Sequence, residues 1–176
     1  MKLRNERGAA MVELALVLPL LLVLLLGMVD FGKAYNAWID ETHLANEAAR
    51  LAAVNYTPPG GWPAACASDP TGGLACYIQS RVDLKELKTG RATTTPQYAN
   101  AQNPAKVCIS FPSVGHPNPL VGDPVQVTVT TDYQWLYFLT SRLRLPGGTT
   151  KVIGNASMRL EATPTYTAGC YQPPIS

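Results

Sequence analysis

Histidine is almost missing from this chain of 176 residues: His43 and His116 are the only two. Neither has nearby residues that would make it a catalytic base or a metal ligand, and no nucleophile, base and orienting group can be assembled around it. The sequence therefore reads as non-enzymatic, with no cofactor and no metal. No pair of cysteines has the CxxC spacing that zinc sites favour. No basic patch of the kind that binds nucleic acid is present either, since the formal net charge is only +2. There is no internal repeat. From Asp30 to Val54 there is no proline, so nothing in that stretch forces a helix to stop.

What is present is concentrated at the start. From Ala9 to Val29 the chain runs 21 residues with a single charge, Glu13, and at about 1.5 Å per residue a helix of that length crosses a hydrocarbon core of roughly 30 Å. Before it, Lys2, Arg4 and Arg7 stand against Glu6. Positive charge ahead of an apolar span keeps the N-terminus cytoplasmic and sends the C-terminal part of the chain outward. A cleaved secretory signal has a similar outline, but this run is longer than an ordinary h-region, and Gly27-Met28-Val29-Asp30-Phe31-Gly32 offers no small-x-small cleavage site. Gly27 to Lys33 has the glycine spacing of a phosphate loop, yet Ala34 replaces the required Ser or Thr.

Past Val29, the residues Phe31, Ala34, Tyr35, Trp38, Ala45, Ala48, Ala49 and Ala52 recur at helical spacing. One helix from Ala9 to about Val54 is expected, ending near Asn55 ahead of Thr57-Pro58-Pro59-Gly60-Gly61. Pro19 removes one hydrogen bond within it, which membrane helices tolerate. The aromatic residues Phe31, Tyr35 and Trp38 have two readings, a membrane-interface belt or packing of the head on the stalk.

Leu74 to Lys88 reads as a short amphipathic helix stopped at Gly90, and Ala92 to Pro104 as an irregular connection. Strands are expected at Lys106–Phe111, Val125–Tyr133 and Thr150–Glu161; in the second, Val125, Val127 and Val129 alternate with Gln126, Thr128 and Thr130. Gln134 to Leu145 fits either a short helix or a strand extension. The expected fold class is α+β: a long transmembrane and stalk helix carrying a small head with a short helix and an antiparallel sheet of about three strands. The domains so defined are a cytoplasmic leader (1–8), a transmembrane helix (9–29), a helical stalk extension (30–55) and an extracytoplasmic head (56–176). Cys66, Cys76, Cys108 and Cys170 all lie on the exported side, where an oxidising compartment favours two disulfides. Three connectivities are possible. Closeness across a Gly/Pro-rich loop favours Cys66 with Cys76, leaving Cys108 with Cys170.

Glu13 is the residue on which a specific function can be argued, because a carboxylate inside a membrane helix is costly and marks function by default. Position alone does not decide it, since Glu13 lies only about 6 Å inside the apolar run. Gly8 adds the second observation. If a peptidase cuts after Gly8, Ala9 becomes the N-terminus and Glu13 its fifth residue, one turn from a free ammonium group. In a bundle of such helices Glu13 of one subunit would pair with the amine of its neighbour. The cut would also remove Lys2, Arg4 and Arg7.

The run Arg7-Gly8-Ala9-Ala10-Met11-Val12-Glu13-Leu14-Ala15-Leu16-Val17-Leu18-Pro19, with Gly27 to Gly32, resembles the N-terminus of TadE-like pseudopilins of the tight-adherence (Tad) pilus system. His43-Leu44-Ala45-Asn46-Glu47-Ala48-Ala49-Arg50 resembles the Ala/Arg-rich continuation of that helix, and Ala156-Ser157-Met158-Arg159-Leu160-Glu161 its late strand. The resemblance implies a single-pass protein of the bacterial cytoplasmic membrane. It further implies cutting by a prepilin peptidase at the Gly8–Ala9 bond and a minor role in assembling adhesive pili. The implied partners are other pilins or pseudopilins and the Tad assembly platform proteins. Leu14 stands where major pilins of the system usually carry Tyr, and the head is far larger than theirs, which argues against the main filament subunit. The alternative is an uncleaved envelope protein whose head binds another envelope component.

Overall fold

A computed structural model gives the fold, and it describes residues 4–82, 87–88, 103–112, 118–135 and 148–173. The first element, α1, is one helix from Arg4 to Ala53 that continues through Pro19. It is the one helix among the described residues long and apolar enough to cross a membrane. Its most apolar stretch has a mean hydropathy of 2.7 and is not buried at all. The chain falls into two compact units, Met1–Tyr35 and Asn36–Ser176. In the first, leucine and valine from Met11 to Val29 face outward all round the helix, the distribution of a segment whose solvent is lipid rather than a protein core.

The second unit contains the head. There α1 contributes Leu44, Ala45, Ala48, Ala49, Ala52 and Ala53 to the core. Phe31, Tyr35 and Trp38 share the helical periodicity but are 64%, 54% and 46% exposed, outside that core. The helix stops because Asn55 takes a left-handed conformation (φ 50°), which Asn adopts at less cost than most side chains. Tyr56 then donates from its backbone N–H to the Leu51 carbonyl. The Asn55 side chain accepts from both the N–H and the hydroxyl of Thr165, 3.0 Å each.

Between helix and sheet, a 3-10 turn at Ala64–Cys66 and the helix α2, Leu74–Ser80, are tied together by Asp69. Its buried carboxylate accepts from the Thr71 N–H (2.9 Å), the Thr71 hydroxyl (2.8 Å) and the Cys76 N–H (2.7 Å). The Thr71 hydroxyl in turn accepts from the Ala75 N–H, so the first turn of α2 is capped from both residues. Gly73 has φ 104°, and the Trp62 ring occupies the space where a Cβ would stand. The expected helix to Lys88 is shorter than the periodicity suggested. At its end the Arg81 and Val82 N–H groups bond three residues back, and the Gln79 amide donates to the Lys88 carbonyl. Residues 83–86 and the expected stop at Gly90 lie outside the described residues.

Among the described residues four antiparallel strands form one sheet: β1 Lys106–Ser110, β2 Pro124–Gln134, β3 Thr149–Arg159 and β4 Gly169–Tyr171, in the order β3-β2-β1-β4. Three were expected; the fourth has only three residues, too few for an alternation to show. It is placed by register, with Cys170 opposite Cys108 and Tyr171 opposite Val107. Of the ambiguous stretch Gln134–Leu145, Gln134 closes β2 and Trp135 begins the turn; the rest lies outside the described residues. Disulfides join Cys66 to Cys76 and Cys108 to Cys170, at separations of 10 and 62 residues.

The inward side chains of the sheet, Val107, Val125, Val127 and Val129, are fully buried in the cluster that includes the α1 alanines and Leu74 and Ile78 of α2. Alanine on the helix permits close approach, and Gly154 of β3 is where the approach is tightest: a Cβ there would stand 2.5 Å from the Glu41 carbonyl oxygen. The obstacle is helix backbone, which cannot rotate away. Gly154→Ala is expected to lower stability by about 3 kcal/mol, the upper end of what overpacking costs, read as a drop in the urea midpoint of the detergent-solubilised full chain. Loss of the longer disulfide (Cys108→Ala with Cys170→Ala) is expected to cost about 4 kcal/mol by loop closure, against about 3 kcal/mol for Cys66–Cys76.

Candidate processing and assembly site

Gly8, Ala9, Val12, Glu13 and Leu16 line one shallow face of α1. Helical spacing puts them there: Ala9 and Glu13 are one turn apart, as are Val12 and Leu16. All five residues are exposed, and nothing lies within 4 Å of the space a Cβ on Gly8 would occupy. Of the residues singled out at this end, the structure therefore puts Gly8, Ala9 and Glu13 on one open helical surface. The rise of about 1.5 Å per residue places Glu13 some 6 Å along the axis from Ala9, within reach of a charge at a new N-terminus. Since α1 begins at Arg4, the Gly8–Ala9 bond is helical. A peptidase that takes its substrate extended would have to unwind this turn, and glycine is the residue least resistant to that.

The cysteines form no part of this site, being paired in the head. His43 is an exposed helix residue, and His116 lies outside the described residues. Among the described residues, no group of three or more His, Cys, Asp or Glu is arranged to hold a metal.

The residue that the sequence did not single out is Glu41. It lies on the same stripe of α1 as Ala37, Ala45 and Ala48, and it is 1% exposed. Neither of its carboxylate oxygens has a hydrogen-bond partner among the described residues. Burial pushes its carboxyl from 4.5 up to about 9, and the charge of Asp40 next to it acts in the same direction. The available signal was an acid in the i, i+4 series with Ala37 and Ala45. It goes unseen because Asp-Glu-Thr at 40–42 reads as a solvated face.

Residues 8–50 match the family model described as TadE-like protein. That segment is similar to TadE-like proteins. The match starts at Gly8 and covers Glu13 and Glu41, while the head beyond Arg50 lies outside it. No curated protein and no solved structure matches this chain. The likeness of this segment points to the Tad pilus system in general.

Glu41 makes the head sensitive to alkali. Between about pH 4.5 and about 9 the folded chain holds a proton at Glu41 that the unfolded chain has lost. Stability is thus greatest below that window and falls as pH rises through it, by up to about 1.4 kcal/mol per pH unit from this one group. Glu41→Gln is expected to flatten this dependence and to raise the urea midpoint at pH 8, both measurable by near-UV circular dichroism of the full chain in detergent.

Proposed function

We propose that this chain is a minor pseudopilin of Tad-type adhesive pili, with a structural and non-enzymatic role. In this reading a prepilin peptidase cuts after Gly8, and α1 packs against the helices of other pilins and pseudopilins. The head presents a priming, tip or adhesive surface in contact with the Tad assembly platform proteins. The observation that carries it is the coincidence of three features at one point: the family match begins at Gly8, Glu13 shares a helix face with Ala9, and the helix beyond them is apolar and unburied. An anchor alone needs no acid at that place. A charge that meets the amine of a neighbouring subunit does, because each neutralises the other where water is scarce.

Cutting also explains the division of charge. Lys2, Arg4 and Arg7 hold the uncut helix at the cytoplasmic face, and their removal lets it leave the bilayer. The head is pinned by two disulfides, which suits service outside the cytoplasmic membrane. The helical state of the Gly8–Ala9 bond favours a second reading, an uncleaved single-pass envelope protein whose head binds another envelope component.

Intact-mass measurement of the protein from its own membrane separates the two: a mature form starting at Ala9 is expected, and one starting at Met1 establishes the second reading. Glu13→Ala is expected to leave membrane insertion unchanged and to reduce pili, counted by electron microscopy, on the order of tenfold or more, as for removal of one partner of a buried ion pair. Undiminished pili would sink the charge-pairing argument.

A further inference from the structure

The two edges of the sheet differ. On one side β4 is three residues long; on the other β3 runs for 11 residues, with no strand beyond it among the described residues. Its pairing with β2 is continuous from Pro124↔Arg159 to Gln134↔Thr149, without a bulge. The ladder's phase is set by its two ends. The Leu160 N–H donates to the Asp123 carbonyl at 2.8 Å, and the Trp135 N–H donates to the Gly148 carbonyl at 3.0 Å. Hydrogen-bonded pairs alternate along an antiparallel ladder, so Thr150, Val152, Gly154, Ala156 and Met158 direct their N–H and C=O groups at β2. The backbone groups of Thr149, Lys151, Ile153, Asn155, Ser157 and Arg159 therefore point to the open edge. Pro124 fits this phase, because it falls opposite Arg159 at a pair that needs no N–H.

Edges of this length are ordinarily blunted by proline, a bulge, an inward charge or charges along the edge; β3 has no proline, bulge or inward charge, and its only charges stand toward its two ends, leaving residues 152–158 uncharged. Its outward side chains are Lys151, Ile153, Asn155, Ser157 and Arg159, all exposed, with Ile153 46% exposed near the middle. The two cations are eight residues apart, about 26 Å along a strand. Neither forms an ion pair among the described residues, although Asp132 stands opposite Lys151 in register.

We infer that the open edge of β3 receives an extended segment of another protein, which adds as a fifth strand and directs acidic side chains toward Lys151 and Arg159. Main-chain hydrogen bonds supply the affinity in such an addition, and the alternate side chains supply the specificity. Charge selects the occupant. Two copies of this chain joined through β3 would bring four cations together with no acid from either outward row, whereas an acidic strand neutralises both ends and leaves Ile153 for an apolar contact. The inference depends on the head alone and stands whether or not the leader is cut.

The probe is a nine-residue peptide alternating Thr and Val with Glu at both ends, compared with the same peptide ending in Lys, each titrated into the full chain in lipid nanodiscs. The acid-ended peptide is expected to bind at least tenfold more tightly and to slow amide exchange at Ile153, Asn155 and Ser157 at least tenfold. Ile153→Pro removes one outward N–H and should weaken binding at least tenfold with an unchanged unfolding midpoint. If that variant does not fold, Lys151→Glu with Arg159→Glu should reverse the preference between the two peptides. Equal binding of both peptides, or binding without protection of those amides, overturns the proposal. Protection of the same amides in the protein alone, accompanied by dimerisation, also overturns it and makes a second copy the occupant.

Discussion

The close seating of α1 on the sheet is the contact on which the head depends. Small side chains create it: alanines at 45, 48, 49 and 52 are buried in one cluster with Val125, Val127 and Val129, and Gly154 removes the last obstacle where β3 passes Glu41. A helix of larger residues would hold the sheet further off and leave no room to choose which strand lies under which turn. Here the fit is set by the absence of atoms, so it is sensitive to any gain of volume. Glu41, buried in the same stripe, shows that this closeness is compatible with a carboxyl so long as it stays neutral.

Around that contact the remaining ties hold the chain's far ends to α1. The carbonyl of Ala53 accepts from the N–H groups of Glu161 and Ala162, and that of Ala52 accepts from the Tyr166 hydroxyl. The Ala53 carbonyl is one that the last turn of a helix leaves unpaired, whereas that of Ala52 also accepts from the Asn55 N–H. Asn55 adds Thr165 to the same set. The segment after β3 is thus fixed to the end of the helix before it turns to supply β4, whose short pairing with β1 is locked by Cys108–Cys170.

Much of this was legible in the sequence, for physical reasons that differ between elements. The long apolar run and the valine alternation of β2 are repeated many times over, so the helix and the central strands could be read from period alone. β4 could not: its place is set by pairing with β1, a long-range partner that no local pattern encodes. Likewise the end of α2, where the Arg81 and Val82 N–H groups bond three residues back and the Gln79 amide donates to the Lys88 carbonyl, is not marked by the local period. The helical spacing that joined Phe31, Tyr35 and Trp38 to the alanines was real, but one period holds both an inward and an outward face. Glu41 and Gly154 matter through each other, being 113 residues apart in the chain, and nothing in either neighbourhood announces the other. At the N-terminal site the sequence did better, because Gly8, Ala9 and Glu13 lie within a turn and a half, where helical spacing alone fixes which residues share a face.

The direction in which β3 lies against α1 has a mechanical consequence. Gly154 meets the helix at Glu41, and Glu161 meets it at Ala53, so strand and helix run alongside one another in the same sense over about 20 Å. A force drawn along this part of the helix loads that seam lengthwise. The buried alanines, the close contact at Gly154 and the backbone bonds at Ala53 would then resist together, as rivets in a lap joint do. The same force applied across the seam would meet them one at a time. A seam of this kind would share a lengthwise load between its two ends, at Gly154 and at Glu161.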